Sequence, residues 1–294
     1  MEKSESSHGE KNIEFLSIGH CCHDQYEGGH ILGGTCSYAS IVASQLGLCA
    51  SILTSVGPDF LFHNTFKQHG VDLHIIPSDQ TTVFENIYNQ GSRTQYLLSR
   101  ASKIKAADIS DALSKSKIVL LGSIADELDF SMTERFADSM ICATIQGSMR
   151  QWDDSGLVTA KAMNWSSLEG VDIAILSVDD IKGLDDAIEC MRQYVSHIVV
   201  TEGENEVTVY KNGKEYTYPA YPVKEVEATG AGDVFATAYI IEYARSQDVS
   251  SACIYAHCAS SFIVEGVGLQ SLPTQQTIEE RMSAYRDMFS DVLR

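Results

Sequence analysis

Thr229-Gly230-Ala231-Gly232-Asp233 is followed at once by an apolar-periodic run, VFATAYIIEYA. Small residues let backbone N–H groups turn toward a ligand, and a helix starting there adds partial positive charge, so Gly230, Ala231 and Gly232 can form an anion hole. An aspartate would repel a phosphate held passively at that place. It makes sense where its task is to take a proton from an attacking hydroxyl while neighbouring amides stabilise a transferring phosphoryl group. The alternative is an aspartate at a helix start after a glycine-rich turn, which is common. From these residues alone that plainer alternative stands first.

A second stretch, GHCCHD from Gly19 to Asp24, packs five metal-ligand types into six residues. If it continues a strand, His20 and Cys22 point one way and Cys21 and His23 the other. Four ligands then cannot converge, and structural zinc motifs space their ligands by two or more residues, so the pattern speaks against zinc. The carboxyl ends of parallel strands are where α/β proteins bind ligands, which leaves Asp24 as the member of the cluster to keep.

The elements that must position these residues alternate. Apolar strand-like runs at IEFLSIGHC, CASILTSVG, VDLHIIP, KIVLLGSIA, MICATIQG, VDIAILSVDD and HIVVTEG are separated by helix-length segments such as TCSYASIVASQLG and GLDDAIECMRQYV. That rhythm predicts an α/β chain with a mostly parallel sheet covered on both faces. Residues 81–100 break it with two alternating strands around Asn89-Gln90-Gly91, a hairpin signal, and a second turn is expected at Asn212-Gly213. The C-terminal part reads as three helices. With no repeat or Pro-rich linker, 1–294 is expected to be a single domain, with β excursions at about 21–33 and 81–100 and a disordered tail at 1–12.

The 21 basic and 40 acidic residues give a formal charge of −19, a field that repels nucleic acid and anionic membrane surfaces. No apolar run reaches the roughly 20 residues that span a bilayer. The polar start lacks a secretory signal, and the eight scattered cysteines include no CxxC pair, so free thiols in a cytoplasmic protein are expected.

In this context EATGAGD resembles the D-T-x-G-A-G-D motif of the ribokinase-like (PfkB) carbohydrate kinases, and the resemblance runs in consistent order along nearly the whole chain. Gly33-Gly34 ahead of a helix match the family's glycine pair. The hairpin falls where the family carries a β lid, VVTEG matches the strand entering the nucleotide site, and YAHCASSFIVEGVG matches the helix and turn beside the adenine. The resemblance implies a ribokinase-like three-layer sandwich with a small β lid. It implies ATP and Mg²⁺ as cofactors, Asp233 as general base, and the anion hole at Gly230, Ala231 and Gly232. Asp24, Gly33, Gly34, Tyr38, Gln146 and Arg150 would bind substrate, and Ser177, Thr201, Gly203 and His257 would bind nucleotide. Asp180 and Asp179 would lie near magnesium carried by the nucleotide rather than held in a protein cage. A homodimer through the lid is a further expectation.

Several positions depart from the family's commonest pattern. Tyr38 stands where ribokinase-type members have asparagine, the Asn-x-x-Glu motif reads Ser177-Val178-Asp179-Asp180, and Glu206 and Glu227 replace a glycine and the leading acid. HCCHD, the aromatic at 38, TTVFEN, QGSMR and SVDD together are most similar to the plant myo-inositol kinase branch, which points to a small neutral sugar or cyclic polyol as acceptor. A nucleoside kinase, with Tyr26, Tyr38 and Phe84 available to sandwich a base, is the alternative, and a catalytically weak ligand-binding homologue is a third. Arg93 and Arg100 in the hairpin are open between a ligand contact and a solvated face.

Overall fold

The computed structural model describes residues 13–26, 29–89 and 92–290. The expected tail at 1–12, the turn residues Gln90 and Gly91, and the side chains of Tyr88 and Arg93 lie outside the described residues.

In chain order the elements are β1 (Phe15–Ile18), β2 (Cys22–Tyr26), β3 (Gly29–Gly33), α1 (Thr35–Gln45), β4 (Ala50–Val56), α2 (His63–Gln68), β5 (Asp72–Pro77), β6 (Thr82–Asn89) and β7 (Ser92–Ser99). They continue with β8 (Ile118–Gly122), β9 (Met140–Thr144), β10 (Arg150–Trp152), β11 (Val158–Ala160), β12 (Ile173–Ser177), α3 (Ala187–Met191) and β13 (His197–Thr201). The chain closes with β14 (Glu206–Lys211), β15 (Lys214–Pro219), α4 (Ala231–Ser246), α5 (Val249–Val264) and α6 (Gln275–Met288).

Nine strands form one sheet in the order β15-β14-β13-β12-β9-β8-β1-β4-β5. From β13 to β5 every pairing is parallel, and β14 and β15 add an antiparallel edge. Strand periodicity splits the apolar side chains between two cores. Phe15, Ile52, Leu120 and Cys142 join the core under α1, α4 and α5, while Leu16, Ile18, Val119 and Leu121 join the core on the opposite face. The Asn212-Gly213 turn forms as expected, with φ of 51° and 77° in a two-residue hairpin loop.

The sheet is covered on both faces as expected, and the two outer layers differ. The second face is covered by the short α3 and by 3₁₀ turns at Ala106–Asp108, Leu113–Lys115, Phe130–Arg135 and Trp165–Leu168. Ser- and Asp-rich segments such as residues 100–117 bury single anchors (Ile104, Ile109, Leu113) and lack the sustained apolar stripe a long helix needs.

A separate four-stranded sheet, β3-β2-β6-β7, is built from the two segments that broke the alternation. GHCCHD therefore does not continue the first strand. β1 ends at Ile18, Gly19 takes a positive φ where a Cβ would strike the backbone of Gly122, and β2 starts at Cys22 in the other sheet.

Candidate active site

Helix α4 starts at the glycine-rich stretch. Gly230 is its N-cap residue in the left-handed region (φ 84°, ψ −6°), and Asp233 lies in the first turn. The ring of Tyr38 from α1 packs directly on Gly230: a Cβ there would stand 2.6, 2.8 and 3.1 Å from Cε1, Cδ1 and Cζ. Only glycine satisfies both the φ and the space. Burial, then the Asp233 and Asp24 carboxylates, hold the Tyr38 phenol well above its ordinary range, so it stays protonated. Ala231 departs from the expectation that all three small residues aim their amides outward, because its N–H donates to Ala228 O at 3.1 Å.

A cavity of about 240 Å³ opens beside Asp233 and Gly230. The small sheet supplies one wall. Asn86 Nδ2 donates to Asp24 Oδ1 (3.5 Å) and Gln95 Nε2 donates to Asn86 Oδ1 (2.9 Å), so a polar relay runs across β7, β6 and β2. Gly33 lies under the Asp24 carboxylate; a Cβ there would come within 2.7 Å of Asp24 Cγ and 2.8 Å of Cys22 Sγ. Gly34 lines the cavity and precedes α1. The opposite wall is a second relay. Arg150 donates to Ile124 O (3.0 Å) and to Gln146 Oε1 (2.6 Å), and Gln146 Nε2 donates to Asp180 Oδ1 (3.0 Å). The Arg150 guanidinium also stands 5.6 Å over the ring of the buried Phe84.

A second cavity, of about 300 Å³, lies behind the same helix start. Thr201, Gly203 and His257 line it, together with Tyr221, Pro222 and Phe235. His257 Nε2 donates to Tyr218 O (3.3 Å), and burial pulls its pKa down to about 4, so the ring is neutral. The two cavities share Ala228 and Gly232 as lining. Most of the site follows from one topological fact. Cys22, Ile124, Gln146, Asp180 and Gly203 come two to four residues after the carboxyl ends of β1, β8, β9, β12 and β13, where parallel strands release their chain toward ligands.

Some expected residues sit elsewhere. Ser177 does not line the larger cavity: its N–H and Oγ both donate to Asp180 Oδ2 (2.7 and 2.9 Å). Asp180 thus has both carboxylate oxygens engaged, by Ser177 and by Gln146, and faces the smaller cavity's relay. Oδ2 is filled by the two Ser177 donors, while Oδ1 accepts from Gln146 alone; Asp179 is exposed beside it. Among the described residues no group of three or more His, Cys, Asp and Glu side chains is placed to hold a metal ion. Within GHCCHD, Cys22 and Asp24 line the small cavity, whereas His23 stacks on Phe60 at 5.6 Å and accepts from Leu61 N–H. Arg100 packs on Trp152 at 5.0 Å and donates to Asp126 O, a structural role outside both cavities.

Asn86 and Gln95 went unremarked in the sequence. Their signal was the alternation of the hairpin, which places them on the same face as Phe84 and Leu97.

A model of the pfkB family of carbohydrate kinases matches residues 23–276. Inositol 3-kinase of Arabidopsis thaliana is 25% identical over 284 residues, covering 90% of this chain and 78% of that protein. A pyrophosphate-dependent kinase of the ribokinase family, solved with a pyrophosphate analogue and myo-inositol, superposes with a TM-score of 0.76 at 19% identity over 91% of this chain and 99% of that one. The fructokinase of Xylella fastidiosa with bound ATP does so with a TM-score of 0.76 at 16% identity, over 94% and 99%. The two structural likenesses carry the ribokinase-like fold, and the family match carries the class of chemistry. With a mostly parallel sheet, a small antiparallel sheet and two cavities meeting at one helix start, the chain belongs to the pfkB family of carbohydrate kinases, phosphotransferases that act on sugar hydroxyls.

Proposed function

We propose that this kinase transfers the γ-phosphoryl group of ATP to a hydroxyl of a small, neutral, cyclic polyol of the inositol class. The observation that carries the reading is the juncture of the two cavities at Ala228 and Gly232, with Asp233 on the side of the smaller one. The acceptor would lie in that cavity, where Asp24 can accept hydrogen bonds from two neighbouring hydroxyls and Asn86, Gln95 and Arg150 offer further polar contacts. Asp233 would take the proton of the attacking hydroxyl, and the first-turn amides of α4 would stabilise the phosphoryl group in transit. The larger cavity, with Tyr221, Pro222, Phe235 and Val264 along it, suits the flat apolar adenine. Magnesium arriving on the nucleotide would neutralise phosphate charge, keeping most of its waters.

A polyol is favoured over a nucleoside because the aromatic faces a base would need are already covered. Tyr38 packs on Gly230, Phe84 carries Arg150 above its ring, and Tyr26 lines neither cavity. The small sheet is assigned as a lid, since Asp24 and Asn86 reach the acceptor only from it. The test is ADP release over a panel of inositols, pentoses, hexoses and nucleosides, repeated with Asp233→Asn. Turnover with a cyclitol, falling about a hundredfold or more in the variant with substrate affinities kept, supports the reading. A folded Asp233→Asn enzyme turning over at the wild-type rate overturns it.

A further inference from the structure

The chain crosses between the large sheet and the small one four times, before β2, after β3, before β6 and after β7, and all four crossings meet at His20. His20 Nε2 lies 2.8 Å from Ser102 O, which can only accept, so Nε2 carries the proton. Nδ1 therefore accepts from Thr82 Oγ1 at 2.8 Å, and Thr82 Oγ1 in turn accepts from Ala101 N–H at 3.0 Å. Gly34 lies against the His20 carbonyl with no room for a Cβ. The His20 N–H donates to Glu127 Oε1 at 3.0 Å.

Glu127 is fully buried, an unusual place for a carboxylate unless its oxygens are satisfied. It also accepts from Ser123 Oγ (2.9 Å), Ile124 N–H (3.0 Å) and Ala125 N–H (2.8 Å). Burial alone would raise its pKa, but the backbone N–H groups of His20, Ala125 and Ile124 that donate to it favour the charged carboxylate and hold it below the ordinary range. Burial lowers the pKa of His20, which agrees with the neutral tautomer its partners demand. The segment Glu127 clamps bears on the acceptor cavity, because Ile124 lines it and the Ile124 carbonyl receives Arg150.

We propose that His20 and Glu127 form the hinge pin of the lid, a positioning pair that fixes where Asp24, Asn86 and Arg150 stand around the acceptor without touching it. The pair ties the small sheet to the ends of β1 and β8, whereas the Asp24–Asn86–Gln95 relay lies wholly within the small sheet. The proposal rests on the assignment of the smaller cavity to the acceptor, and its test reads it both with and without that assignment.

His20→Ala, His20→Gln and Thr82→Val are compared with the wild type. His20→Ala is expected to raise the acceptor KM about tenfold, the effect of losing one to two buried hydrogen bonds, with the nucleotide KM within about twofold of normal. Hydrogen exchange, measured without any substrate, should speed up in β2 and β6 and stay unchanged in β8 and β9. His20→Gln keeps a donor and an acceptor and should recover most of the loss. Thr82→Val should shift both readouts in the same direction, and its effect should be smaller in the His20→Ala background, where only the bond from the Ala101 N–H is left to lose. Equal rises in both KM values, exchange that speeds up uniformly in the two sheets, or a glutamine no better than alanine would overturn the proposal. Should His20→Ala not fold, Thr82→Val, close to isosteric, decides the matter by the same criteria. A wild type that phosphorylates no acceptor in the panel sinks the kinase assignment instead, and the exchange pattern still decides the hinge.

Discussion

Gly230→Ala tests the contact between α1 and the start of α4 on which the proposed anion hole depends. The new methyl meets two separate penalties. A residue with a Cβ at φ 84° costs about 1 kcal/mol relative to glycine. The Cβ also stands 2.6 Å from Cε1 of Tyr38, where carbon atoms prefer roughly 3.5–4.0 Å, so the ring or the helix start must retreat by about 1 Å. Tyr38 is buried at 3% exposure and has little room to move, so overpacking adds about 1–3 kcal/mol. The total expected loss of stability is about 2–4 kcal/mol. A shift of that size beside Asp233 should also lower kcat about a hundredfold. Denaturant unfolding and steady-state kinetics measure both. In a Tyr38→Ala background the steric part disappears and the penalty for Gly230→Ala should shrink to about 1 kcal/mol, a coupling read from the double-mutant cycle. A penalty below about 0.5 kcal/mol in the wild type, or one unchanged by removing the ring, would refute the reasoning.

Three further outcomes are expected. Gln146→Leu cuts the relay between Asp180 and Arg150 and should raise the acceptor KM about tenfold with the nucleotide KM unchanged; an effect on the nucleotide alone would place Asp180 on the donor side instead. His257 has a folded pKa of about 4 against an unfolded value near 6.5, so the unfolded chain binds the extra proton between those values. Stability should therefore be complete above about pH 6.5 and fall as the pH drops toward 4, by up to about 3 kcal/mol from this group, and urea melts of His257→Gln should show a shallower acid loss. Inorganic pyrophosphate should fail to replace ATP as donor, since the Tyr221, Pro222 and Phe235 surface would go uncovered; phosphorylation with pyrophosphate at a rate near that with ATP would overturn the adenine assignment.

What was legible in the sequence was what is decided within a few residues. The left-handed Gly230, the helix beginning behind it and the Asn212-Gly213 turn are local events, and each took the form its residues dictate. The parallel sheet followed from apolar runs that register regardless of the segments between them. Glu127 could not be read this way, because its meaning comes from the His20 amide 107 residues earlier in the chain. Asn86 and Gln95 looked like ordinary hairpin residues until β2 brought Asp24 beside them. GHCCHD was legible only in part for the same reason: a β excursion from about residue 21 was expected, but nothing within six residues announces that the chain leaves one sheet at Gly19 and enters another at Cys22.

The wall common to the two cavities bears on the order of events. Ala228 and Gly232 present a methyl group and a hydrogen, and neither can carry a phosphoryl group. A relay through an enzyme-bound phosphate would need a nucleophilic side chain at that juncture, and the one carboxylate beside it, Asp233, is proposed as the base instead. With Asp233 acting as proposed, donor and acceptor would both have to be present before anything happens, and the phosphorus would pass straight from one oxygen to the other. Initial-rate plots should then intersect rather than run parallel, and a chiral phosphoryl group should arrive with its configuration inverted.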